Sequence, residues 1–203
     1  MYVKSLHQIY YLHEGFMSNL LRKTLTTTAP LLSLLTAPMV LIGAPVQANE
    51  IHLAADYSAD QLRGARIGYR WTNLDWPVTL PAWLGSPRLH AEAALNTWQN
   101  SNNTSDNLTA LTMSPVISWS LTDGNRPLQL EAGIGVSYFE KTTLGDRRLS
   151  TQFQFEDRIG LTWQYSTTST ARLGLHYFHY SNADLDQPND GLDFFRISWH
   201  YPI

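Results

Sequence analysis

From about residue 50 to the C-terminus, apolar and polar positions alternate with a period of two. That period is the mark of strands whose two faces meet different surroundings. The clearest run is 127–138, where Leu128, Leu130, Ala132, Ile134, Val136 and Tyr138 share one face and Gln129, Glu131, Gly133, Gly135 and Ser137 the other. In 112–121, Met113, Pro115, Ile117, Trp119 and Leu121 alternate with Thr112, Ser114, Val116, Ser118 and Ser120. In 152–165, Phe153, Phe155, Ile159, Leu161, Trp163 and Tyr165 alternate with polar residues and glycine, and Asp157 breaks the apolar face. Weaker alternation near 50–58, 65–73, 87–99, 169–181 and 192–202 brings the total to eight strands. Pro115 is an awkward strand-interior residue, because it cannot donate to a ladder. No long amphipathic helix, internal repeat or second domain stands out.

Alternation alone does not say which face is inside. A lipocalin-like barrel or soluble β-sandwich buries the apolar face, and a membrane barrel turns it outward. Residue size and charge separate the two. One face carries Trp71, Trp119, Trp163 and Trp199, and the other carries Arg66, Arg70, Glu131, Glu156, Arg158, Arg172 and Arg196. The second set would make a costly soluble core. Inside a small lumen its opposite charges can pair. The expected fold is therefore all-β, an eight-stranded antiparallel transmembrane β-barrel of the bacterial outer membrane over 49–203. Its interior would be filled by side chains, not by a water channel.

The first 48 residues differ. Arg22 and Lys23 precede an apolar stretch from Leu31 to Ile42, and Val46, Gln47 and Ala48 supply small residues for cleavage. This reads as a signal peptide over 1–48. Pro30, Ser33, Thr36 and Pro38 interrupt the stretch, which is short for a span of about 20 residues. Met17 offers an alternative start. The chain has no cysteine, so it has no disulfide and no thiolate zinc site. A net charge of −3 gives no basic footprint for nucleic acid. His52, His90, His176 and His200 lack metal-ligand spacing. The Asn102 and Asn107 sequons read as an exposed polar loop.

Short turns are expected at 122–126 and 166–168, and longer loops at 99–107, 140–150 and 182–191. Short turns mark the periplasmic end of such barrels, which puts Ser181 on the cell-surface side. Segment 74–86 fits badly, being long, on the short-turn side, and holding Trp76, Pro77 and Trp83. Around the last loop, Leu173, Leu175, Tyr177, His179 and Ser181 share one face of a strand. Asp193, Phe195, Ile197, Trp199 and Tyr201 share a face of the next. His179, Ser181 and Asp193 thus point towards lipid near the bases of one hairpin, where they can meet across strands. Serine, histidine and carboxylate are the parts of a hydrolytic triad, which is defined by geometry and not by chain order. A polar cluster among headgroups is the bland alternative.

The runs Phe155-Glu156-Asp157-Arg158-Ile159-Gly160, His179-Tyr180-Ser181-Asn182-Ala183 and Gln187-Pro188-Asn189-Asp190-Gly191 resemble the lipid A 3-O-deacylase family, as does Glu131-Ala132-Gly133-Ile134-Gly135-Val136. The resemblance covers most of 49–203 and is densest over 128–203. It implies Ser181 as nucleophile, His179 as base and Asn182 as an oxyanion residue. The family pattern has glutamate twelve residues after the serine, where this chain has Asp193, so the carboxylate must reach His179 with one methylene fewer. Asp184 stands where the family has a small residue, and the chain ends Tyr201-Pro202-Ile203 without a terminal aromatic. The implied substrate is lipid A of lipopolysaccharide, with outer-membrane lipids around the barrel, no nucleic-acid partner and no metal or cofactor. A homodimer stays open. Lys141, Arg147 and Arg148 would hold the phosphates, with surface solvation as their bland reading. The rivals are a non-catalytic structural or adhesive barrel, whose three residues would not converge, and a lipid A acyltransferase working from inside the barrel.

Overall fold

In the computed structural model, residues 49–203 are described. The export signal expected over 1–48 lies outside the described residues. Eight strands close one antiparallel barrel: β1 Glu50–Tyr57, β2 Leu62–Leu74, β3 Arg88–Asn100, β4 Asn103–Ser120, β5 Leu128–Phe139, β6 Phe153–Gln164, β7 Arg172–Ser181 and β8 Leu192–Pro202. Each strand pairs with its sequence neighbour, and β1 pairs with β8, from Glu50 opposite Pro202 to Tyr57 opposite Phe195. Closure leaves no open sheet edge, so every ladder group in a lipid phase can find a partner. Both ends of the described chain lie at one rim, with the 75–87, 121–127 and 165–171 connections. The opposite rim carries the 58–61, 101–102, 140–152 and 182–191 connections.

The parity expected from sequence holds. Arg66, Arg70, Glu131, Glu156, Arg158, Arg172 and Arg196 are buried inside, while Ile67, Ile134, Ile159, Trp163, Leu175 and Trp199 are exposed on the outer wall. The inner charges interlock. Arg70 forks onto Glu131 at 2.8 and 3.0 Å, Arg66 spans Glu92 at 2.6 Å and Glu156 at 2.8 Å, and Arg158 spans the same two glutamates at 2.7 Å each. Arg196 holds Asp56, and Arg172 holds Glu50. Removing one member leaves a buried charge unpaired, which costs about 3–5 kcal/mol. Asp56→Ala, which removes the carboxylate paired with Arg196, is therefore expected to lower the unfolding free energy of the barrel by that much, as read from the shift of the urea midpoint in micelles. An unchanged midpoint would show that the network carries no net stability.

Two features depart from the sequence reading. The loop expected at 99–107 is strand, with β3 running to Asn100 and β4 beginning at Asn103. The hairpin projects further, with Asn107 opposite Gln99 and Asn103 opposite Asn100, and residues 104–106 form an irregularity between these pairs. The lumen is also not polar throughout. Towards the 140–152 rim it holds an apolar cluster of Leu62, Trp98, Leu108, Phe139, Phe178, Tyr180 and Phe194, capped by Leu144 and Leu149 from the loop. Trp98 stacks on Phe194 at 5.1 Å, and Arg196 lies 3.8 Å over the Phe178 ring.

Pro115 finds its place by parity and pairing. Its ring points outward, and the β4–β5 ladder lapses between Met113–Val136 and Ile117–Ala132, then resumes in the same register. The missing N–H falls in that gap. Gly133 and Gly135 face it, where an added Cβ would come within 2.4 Å of the Pro115 carbonyl and 1.8 Å of Ser114 Oγ.

Candidate active site

The site sits where β7 and β8 approach the 182–191 loop. Inward Phe178 and Tyr180 alternate with outward His179 and Ser181 along β7, and inward Phe194 follows outward Asp193 on β8. The inner members are locked in the aromatic cluster, with Tyr180 donating to Glu156 at 2.8 Å. A packed inner face leaves the outward side chains little freedom of register, because a one-residue slip would turn the aromatics into lipid.

Asp193 stands directly opposite His179 in the β7–β8 ladder. Its Oδ1 lies 2.7 Å from His179 Nδ1, so aspartate spans the gap. The Tyr177 hydroxyl donates to the same oxygen at 2.5 Å. That bond orients the carboxylate, a role the sequence reading did not assign to Tyr177. Ser181 is two residues beyond His179 on the same face, one repeat of about 6.6 Å along the strand. Both side chains are buried.

On the other flank, β6 places Asp157 opposite His179 and Phe155 opposite Ser181. The imidazole thus stands between two carboxylate-bearing positions on adjacent strands. The break that Asp157 makes in the apolar face of β6 was the sequence signal for it. Gly191 covers the ring from above. Its φ is +67°, and a Cβ there would meet His179 Cε1 at 2.9 Å.

The loops over the site are fastened to one another. Asn182 Nδ2 donates to Ser150 Oγ at 2.9 Å, Asp186 O at 2.9 Å and Leu149 O at 3.1 Å. Its backbone N–H reaches Asn189 Oδ1 at 3.2 Å. An amide nitrogen has only two hydrogens, so in this arrangement the Asn182 side chain braces loops instead of presenting a free donor to an oxyanion. Residues 143–148 form a short hairpin whose Arg148 exchanges bonds with Asp190: N–H to Oδ2 at 2.8 Å, and Asp190 N–H to the Arg148 carbonyl at 2.9 Å. Arg147 bridges Asp190 O at 2.9 Å and Asp60 at 2.6 Å, and Lys141 pairs with Asp106 at 2.8 Å. The Lys141 and Arg147 side chains expected to receive phosphates therefore also hold the rim together, and the Arg148 guanidinium stands 3.5 Å from Asp190. Among the described residues no group of His, Asp and Glu has metal-site geometry.

A family model described as lipid A 3-O-deacylase (PagL) matches residues 64–202. The lipid A deacylase PagL of Pseudomonas aeruginosa is 30% identical over 175 residues, spanning 85% of this chain and 96% of the relative. The lipid A deacylase PagL of Bordetella bronchiseptica is 31% identical over 146 residues, 72% of each protein. A crystal structure of the outer membrane enzyme PagL superposes with a TM-score of 0.64 at 28% identity, covering 76% of this chain and 99% of the other. The chain belongs to the lipid A 3-O-deacylase (PagL) family and is an outer-membrane β-barrel.

Proposed function

We propose that the chain is a serine esterase that removes the 3-hydroxyacyl chain ester-linked at position 3 of lipid A. The observation that carries this reading is the His179–Asp193 contact of 2.7 Å on the lipid-facing wall, with Ser181 next on the same face. Ser181 Oγ attacks the ester carbonyl while His179 Nε2 takes its proton. The tetrahedral adduct collapses, and His179 returns the proton to the departing sugar oxygen. Water then attacks the acyl-serine, giving its proton to His179. The free 3-hydroxy fatty acid leaves, and Ser181 regains its hydrogen. Asp193 keeps the Nδ1 proton in place and stabilises the imidazolium. Asn182 serves the oxyanion by pinning the turn that follows the nucleophile.

The 140–152 and 182–191 rim faces the cell surface in this reading, after export directed by residues 1–48. Lipid A occupies the outer leaflet and arrives by lateral diffusion, with its ester near headgroup depth. Tyr177 and Phe195, whose rings lie 5.7 Å apart on the outer wall, would line the acyl chain's path. Purified barrel mixed with lipid A in micelles is expected to release one 3-hydroxy fatty acid per lipid. Recovery of intact lipid A would overturn the reading.

Gly191 offers a finer check. Gly191→Ala adds a carbon against the His179 ring and strains a positive φ. A shift of about 1 Å at a reacting group costs on the order of 10²-fold. The variant is expected to lose about that much rate while its barrel still migrates as folded on a gel. An unimpaired rate would mean the ring has room to move.

A further inference from the structure

At the rim that holds the chain ends, three connections differ in character. Residues 121–127 read Leu-Thr-Asp-Gly-Asn-Arg-Pro and 165–171 read Tyr-Ser-Thr-Thr-Ser-Thr-Ala, as turns in water should. Residues 75–87 read Asp-Trp-Pro-Val-Thr-Leu-Pro-Ala-Trp-Leu-Gly-Ser-Pro, with Asp75 the only charge. The segment is also folded and tied down. Trp76 Nε1 donates to Pro87 O at 2.9 Å, closing the loop on itself. A single 3-10 turn spans Ala82–Leu84. Trp119 Nε1 donates to Leu84 O at 3.1 Å. Trp119 is an outward residue of β4, so this bond sets the loop against the lipid-facing wall and not across the barrel mouth. Trp83 is then 81% exposed and Val78 60% exposed.

We infer that loop 75–87 is a membrane-interface anchor, its Trp83 and Val78 seated among the headgroups and upper acyl carbons of the leaflet at this rim. Continuity with the barrel's lipid-contacting wall decides the occupant. Trp119 belongs to that wall and holds the loop beside it. Tryptophan suits the site, because its ring body is apolar and its N–H polar, and it concentrates at bilayer interfaces. The prolines at 77, 81 and 87 stiffen the segment, which limits the entropy lost when it settles into lipid. The anchor resists tilt and vertical drift of the barrel, and so holds the opposite rim at a set depth. The inference does not depend on which leaflet this rim occupies.

The chain has no cysteine, so single labels are clean. Trp83→Cys, Val78→Cys and, as a water-facing control at the same rim, Asp123→Cys would each carry a polarity-sensitive fluorophore in the full barrel, reconstituted in phosphatidylcholine vesicles. Labels at 83 and 78 are expected to emit blue-shifted light. They should be quenched by lipids with a nitroxide near the headgroup, and be several-fold less accessible to aqueous iodide than the label at 123. All three positions are exposed, so folding should be unaffected, and gel mobility checks it. Water-like emission and equal iodide access at 83, 78 and 123 would overturn the anchor. That outcome would leave the esterase reading untouched, since fatty-acid release is measured separately on the same samples.

Discussion

Ser181→Ala is expected to abolish fatty-acid release while leaving the barrel intact. Removing the nucleophile of a serine hydrolase costs on the order of 10⁶ in turnover. Ser181 is the last residue of β7, and its side chain takes no part in the inner charge network or the aromatic cluster, so stability should not move. Timed assays on lipid A, with gel mobility as the folding control, make the comparison. Release by the alanine variant at the native rate would place the nucleophile elsewhere.

Asp193→Asn carries the second large effect. The amide keeps the shape but cannot hold the Nδ1 proton of His179 in the same way, and such a change in a triad costs about 10⁴. Asp193→Glu should lose no more than about 10²-fold, because the longer chain still reaches the ring but must bend to keep the Tyr177 bond. Native activity in Asp193→Asn would mean that Asp193 is not the working carboxylate. Asp157, opposite His179 on β6, would then be the residue to test, through the Asp157→Asn and double variants.

Much of the fold was legible because a membrane barrel writes its two faces into alternate residues. Glu131 against Leu130 and Arg158 against Ile159 separate lumen from lipid without any knowledge of pairing. The pattern fails where both faces are apolar. Phe194 and Phe195 are consecutive and chemically alike, yet one packs in the inner cluster and the other meets lipid. The aromatic plug under the site was hidden for that reason. Polar residues near Asn103 looked like a loop because an extramembrane strand has no lipid face to mark it.

The meeting of His179 with Asp193 was legible from parity and spacing within one hairpin, where β7 and β8 pair as neighbours. Asp157 showed as a break in the apolar face of β6, but its place opposite His179 did not, nor did the Asp190 clamp. Asp190 sits in the β7–β8 loop but its partner Arg148 comes from the 140–152 loop, and which residue of β6 stands beside His179 depends on the register set by the 165–171 connection, which alternation does not encode. The Asn182 brace depends on where the 140–152 loop folds back, which is likewise a tertiary outcome.

The most direct measurement is tandem mass spectrometry of lipid A before and after exposure to the native protein and to Ser181→Ala. The expected result is loss of one 3-hydroxyacyl group from position 3 of the proximal glucosamine, with every other chain retained, and no change with the alanine variant. Loss of a chain from any other position, or the same loss with Ser181→Ala, would contradict the assignment.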